Sequence, residues 1–207
     1  MALRSWWTRV SAGATAYAVV GLFVIENHCG VAPVDHRQLA VHFLERGHFD
    51  RALVEARRAT READSQVDGQ VISALAYLGL ERPQEAVSSI VDAIRIEPND
   101  ARLFATLREI GLQSDRVELV LYALEDLEPE LPAPNWHLRV TLAWTHMRLE
   151  ANDEALSLLE EAVDMGNSVD LKNRLFAHLQ LSRLYMTVER FAEAGATLTN
   201  ALALDPQ

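Results

Sequence analysis

The sequence predicts an all-α protein: about five consecutive helix-turn-helix units stacked as an α-solenoid behind one hydrophobic amino-terminal helix. Three observations lead there. From Pro33 onward, apolar residues recur at three- and four-residue spacing in stretches rich in Ala, Leu, Arg and Glu. That is the period of an amphipathic helix, and no run of alternating β-branched residues competes with it. The pattern then repeats, because Phe43, Ala52 and Ala59 return as Tyr77, Ala86 and Ala93, each 34 residues later. Further on, Ala143, His146, Ala155, Leu159 and Ala162 return as Ser182, Tyr185, Ala194, Leu198 and Ala201, each 39 residues later.

The first element is the stretch 1–32. Arg4 and Arg9 precede sixteen uncharged residues, Val10 to Ile25, which as a helix reach roughly 24 Å, short of a hydrocarbon core of about 30 Å. Adding Trp6 to Arg9 closes the gap, with Arg9 snorkelling and Trp6 and Trp7 at the interface. The expectation is an uncleaved single-pass signal anchor in a bacterial cytoplasmic (inner) membrane. Its amino terminus stays cytoplasmic and the remaining chain is periplasmic. The alternative is a cleaved signal peptide and a soluble periplasmic or secreted protein, but "ENHCGVAP" offers a poor cleavage site. Cys29 is the only cysteine, which excludes an intrachain disulfide and a cysteine-based zinc site.

The repeats follow, with approximate limits 33–66, 67–100, 101–131, 136–169 and 172–207. In the second unit, Ala86 and Ala93 lie seven apart on one helical face and admit the partner helix closely, while Tyr77 and Ile90 fill the adjoining volume. Pro98 stops that helix. The third unit is degenerate, with Gly111 where others carry an aromatic or His, and Val120 and Leu127 where others carry Ala. "EPELPAPN", 128–135, is an extended connection or bend between units one to three and units four to five, or a plain long loop. The connector from Asp164 to Ala177 absorbs about five extra residues relative to a 34-residue repeat.

The pattern of Ala40, Phe43, Ala52, Ala56 and Ala59, of Ala74, Tyr77, Ala86, Ile90, Ala93 and Pro98, and of Ser182, Tyr185, Ala194, Leu198, Ala201 and Pro206 resembles the tetratricopeptide repeat. The early Trp of that family is missing, and the fourth unit closes without Pro at Asn167. The resemblance implies a right-handed solenoid with a concave groove lined by the first helix of each unit, holding peptides or partner helices. Carried onto this chain, the groove positions are Arg37, Val41 and Leu44; Val71, Leu75 and Leu78; Ala105 and Glu109; Val140, Trp144 and Met147; and Leu179, Arg183 and Met186. Trp144, Met147 and Met186 either form an adaptable apolar patch or pack between helices. Because the chain ends at Gln207 without the polar capping helix common in that family, Leu198, Leu202 and Leu204 are expected to form a docking or self-association end, giving a homo-oligomer.

Composition bounds function. With 30 acidic and 19 basic residues the net charge is -11, and dispersed basic residues argue against a nucleic-acid partner. His36, His42 and His48 fall six apart and cannot share a helical face. No HExxH, nucleophile pattern or phosphate loop is present. No catalytic residue, metal or cofactor is expected, and the chain is not expected to be an enzyme. The expectation is a membrane-tethered scaffold binding other proteins in an envelope assembly such as polysaccharide export, cytochrome maturation or pilus assembly. Alternatives are a soluble adaptor or a non-catalytic accessory subunit of an enzyme complex.

Overall fold

A computed structural model describes residues 34–204, except the side chains of Asn167 and Ser168. The expected anchor, 1–32, and the stop at Pro206 lie outside the described residues. Ten α-helices are described, and they form five antiparallel pairs. These are α1 (His36–Glu45) with α2 (Phe49–Ala59), α3 (Gln66–Gly79) with α4 (Pro83–Ile96), α5 (Ala101–Ser114) with α6 (Val117–Leu127), α7 (Trp136–Arg148) with α8 (Asn152–Asp164), and α9 (Leu171–Thr187) with α10 (Phe191–Leu204). Short 3-10 turns at Ala63–Ser65, Glu128–Glu130 and Met165–Ser168 lie in the joints between pairs. No described helix is long and apolar enough to cross a membrane.

First and second helices start differently. Asp35, Asp100, Asn135 and Asp170 cap α1, α5, α7 and α9, each accepting a hydrogen bond from a first-turn amide, the usual satisfaction of orphaned N–H groups. The second helices instead follow a turn with one residue of positive φ. These residues are Gly47, Glu81, Asp115, Glu150 and Glu189, at φ between 53° and 73°. In each pair the amide after it donates back into the first helix, to the carbonyls of Phe43, Tyr77, Gly111, His146 and Tyr185 at 2.8–3.0 Å. This is the Schellman closure, and its acceptors are the aromatic, His and Gly positions of the repeat.

Only the first turn uses glycine, although a side chain in the left-handed region costs roughly 1 kcal/mol. Glu81, Glu150 and Glu189 are all exposed, so glycine there loses no packing. Each Glu→Gly change is expected to stabilise by about 0.5 kcal/mol. The triple variant is expected to melt a few degrees higher by circular dichroism, and an unchanged or lower melting temperature would contradict the local account.

Tight contacts follow the small residues. Ala52, Ala56, Ala59, Ala74, Ala86, Ala93, Ala143 and Ala155 are fully buried, and Ile90 and Tyr77 fill the space beside Ala86 and Ala93. The helix before Pro98 stops at Ile96. Aromatics of the first helices carry an arginine from the start of the second on their faces: Arg51 on Phe43, Arg82 on Tyr77 and Arg190 on Tyr185, at 5.8, 4.9 and 4.6 Å.

The degenerate third pair is the centre of the largest core. Leu103, Phe104, Leu107, Ile110, Val120 and Leu124 join Ile90 and Ile94 of α4 to Leu138 and Leu142 of α7. Gly111 has a packing reason: a methyl group there would meet Val120 Cγ2 at 2.8 Å, so the larger Val120 replaces a repeat alanine and Gly111 yields the room. The proline-rich segment 128–135 is stitched to the second pair. Leu131 is buried, Arg95 makes a two-pronged ion pair with Glu130 at 2.7 and 3.1 Å, and the buried Asn135 donates its amide to the Pro98 carbonyl at 2.7 Å. Both halves of the described residues therefore belong to one compact unit.

Candidate partner-docking site

Charge is sorted by helix position in pairs three to five. The second helices α6, α8 and α10 contain no Lys or Arg, and the first helices α7 and α9 contain no Asp or Glu. In α5 the only acid, Glu109, stands beside Arg102 and Arg108. A chain of net charge -11 thus presents a basic first-helix side on these pairs. Among the described residues no carboxylate comes within ion-pair distance of Arg108, Lys172, Arg174 or Arg183.

On α9, Lys172, Phe176, Leu179, Arg183 and Met186 follow at i, i+4, i+7, i+11 and i+14 and are all exposed, a single stripe about 21 Å long. Three large apolar side chains in the stripe, Phe176, Leu179 and Met186, are 42–51% exposed. Two cations are interleaved with three apolar groups along it, the lining an amphipathic acidic segment would need.

The stripe runs into a pocket of about 150 Å³ at Phe176, lined also by Ala101 and Arg108 of α5, Trp136, His137 and Val140 of α7, and Asn173 of α9. Its floor is organised by rings. His137 stacks on the buried Phe104 at 5.8 Å and 26°, and Trp136 meets His137 and Phe176 edge-on at 5.2 and 6.4 Å. Arg108 Nη1 donates to the buried Thr141 hydroxyl at 2.9 Å, which fixes the guanidinium against α7. Burial lowers the Arg108 pKa, and burial together with neighbouring Arg108 lowers that of His137, so the imidazole is neutral at pH 7. The indole N–H of Trp136 is buried and has no acceptor among the described residues. The nearby acids are engaged: Asp100 accepts from the Arg102 guanidinium and amide, and Asp170 accepts from the Asn173 amide and side chain.

The expected groove residues differ in exposure. Leu179, Arg183 and Met186 lie together on the exposed stripe. Val140 is buried, at 5% exposure, against Trp136, Ala162 and Ala177. Val41, Leu44, Val71, Leu78 and Met147 are half-buried and pack on the cores. Leu75, Trp144 and Glu109 are half-buried and Ala105 is exposed, and Arg37 is tied to Asp68 of α3 at 2.8 Å. Of the expected end residues, Leu202 and Leu198 are exposed and Leu204 is half-buried. Sequence reasoning did not find Arg108, Trp136 and His137; the missing acids of α7 and α9 were the available signal.

Comparison with known proteins fits this architecture. Residues 177–207 match the family model of a tetratricopeptide repeat, the part of the chain holding the most complete copy of the pattern. No curated protein sequence matches the chain. Among solved structures, the crystal structure of MamA protein superposes with a TM-score of 0.53 at 14% identity, covering 83% of this chain and 90% of that one. MamA 41-end from Desulfovibrio magneticus gives 0.52 at 18% identity, over 83% and 93%. A thermophilic TPR protein of Thermus thermophilus gives 0.51 at 21% identity, over 84% and 91%. The class is therefore an all-helical solenoid with the tetratricopeptide type of fold.

Proposed function

We propose that the chain is a non-catalytic interaction scaffold whose first helices in pairs three to five dock an acidic, amphipathic segment of a partner protein, and that residues 1–32 tether it to a membrane within a bacterial envelope assembly. The observation that carries the docking reading is the sorting of charge: bases on the first helices, acids on the second, and unpaired cations interleaved with exposed apolar side chains on α9. Complementary charge raises the encounter rate and selects the partner, while Leu179 and Met186 supply desolvated contact. The tether is supported by the Arg-flanked, uncharged run 10–25 and the Trp6–Trp7 pair.

The test is cross-linking of the full chain in native membranes, followed by recovery of bound proteins, for the unaltered chain and for Leu179→Glu/Arg183→Glu, with a carbonate wash of separate membranes to read the tether. Both positions are exposed, so the fold is expected to survive, which circular dichroism checks. Recovery of the partner should fall at least tenfold. Equal recovery would overturn the docking face, and absence of the chain from washed membranes would overturn the tether.

A further inference from the structure

Resting on that docking reading, we propose that the pocket among α5, α7 and α9 seats an acidic side chain of the docked segment, with the Arg108 guanidinium as its counter-ion. Four observations converge on it. Arg108 is held in place by Thr141 yet faces no carboxylate among the described residues, and a partly buried guanidinium is stabilised by a planar anion that accepts two of its N–H groups. The pocket volume of about 150 Å³ takes a group of benzene size, enough for a carboxylate with its methylene stem. The walls divide accordingly, with Val140 and Phe176 beside the stem and Arg108, His137 and Asn173 offering N–H groups to the oxygens. Trp136, 9% exposed, lines the same pocket with its N–H unmatched.

A side chain fits better than a chain terminus. Lys172 and Arg183 continue the series of unpaired cations along the α9 stripe, so the occupant presents acids at intervals and runs on past the pocket. Asp100 and Asp170, the acids nearest His137, are held by Arg102 and by the amides of the α9 start, which leaves the Arg108 charge uncompensated.

The probe is a fluorescent decapeptide of alternating glutamate and alanine, acetylated and amidated so that neither end is charged. A glutamine counterpart and a glutamine peptide with a free carboxyl end serve as the other arms. Anisotropy is read against the full chain, and the indole N–H cross-peak of Trp136 reports location. The glutamate peptide is expected to bind and to shift that cross-peak. Arg108→Gln should weaken it at least tenfold and abolish the shift, and Ala101→Leu, which fills the pocket from an exposed position, should do the same without touching the core.

Equal affinity of the glutamate and glutamine peptides, unaltered affinity in Ala101→Leu, or no binding of the glutamate peptide at millimolar concentration would each overturn the proposal. Tighter binding of the free-ended peptide would assign the pocket to a terminal carboxylate and overturn the side-chain assignment. If Leu179→Glu/Arg183→Glu abolishes partner recovery while these peptide results fail, the docking face stands and the pocket falls. The reverse result would leave the pocket standing without the stripe.

Discussion

Phe104→Ala is expected to be among the most damaging single substitutions in the chain, costing about 3–5 kcal/mol. Phe104 is 1% exposed and lies in the core that unites α4, α5, α6 and α7. Removing its ring leaves a cavity at the point where the array can least close over it, because pairs on both sides depend on the third. In a stack stabilised by nearest neighbours, loss of an interior unit uncouples those on either side. The urea transition should therefore move to lower concentration and broaden or split. A single transition at the original midpoint would show that the third pair is not the hub. Phe104→Leu keeps most of the volume and serves as the milder variant. It removes the aromatic stack from His137 and opens its surroundings, so the lowered imidazole pKa should rise toward its ordinary value, as read by NMR titration. The direction is fixed by cause: burial disfavours the imidazolium, so relief of burial raises the pKa. By linkage, the neutral imidazole of a histidine with a depressed pKa is accommodated in full above the unfolded value, and the fold loses stability as pH falls through that value toward the folded one. Phe104→Leu should accordingly lose less stability on acidification than the unaltered chain.

Gly69→Ala should also destabilise, by about 2 kcal/mol, although alanine is the better helix former by about 1 kcal/mol. A methyl group on Gly69 would sit 2.8 Å from the Thr60 amide nitrogen and 2.9 Å from the Ala56 carbonyl oxygen. These two atoms are hydrogen-bonded to each other at the end of α2. Backbone cannot step aside as a flexible side chain does, so α3 must move off α2, and overpacking of this kind typically costs about 1–3 kcal/mol or more. Gly195→Ala is the matched control, because in α10 the added methyl meets nothing within 4 Å. Only the propensity gain applies there. Opposite signs for the two substitutions in urea unfolding are expected, and equal signs would refute the close-approach account.

The small and aromatic spacings made the helix pairs legible in the sequence, since alanine at a crossing and an aromatic beside it are demanded by helix-to-helix distance itself. The turns were less legible. Three of the five left-handed residues are glutamates and one is aspartate, so the glycine that usually marks such a turn is absent from four of them. The resemblance, carried onto the chain, put Leu179, Arg183 and Met186 among the groove positions, and all three are exposed along α9. It could not show that Val140 is covered by Trp136 and Ala177, because that depends on how α7 meets α9. The pocket was hidden for the same reason: Arg108, Trp136 and Phe176 come from three helices, and no local pattern brings them together.

The five turns within pairs have one geometry, while the joints between pairs differ in length. Successive left-handed residues are 34, 34, 35 and 39 positions apart, as read from Gly47, Glu81, Asp115, Glu150 and Glu189. The longest step crosses the joint 165–170 between α8 and α9, but its excess lies in the 17-residue α9 and not in the joint, which is as long as that between α2 and α3. Each pair behaves as a fixed jaw, and the joint sets the gape between one jaw and the next. Trimming or lengthening that joint offers a way to retune what the chain grips while leaving every gripping residue in place.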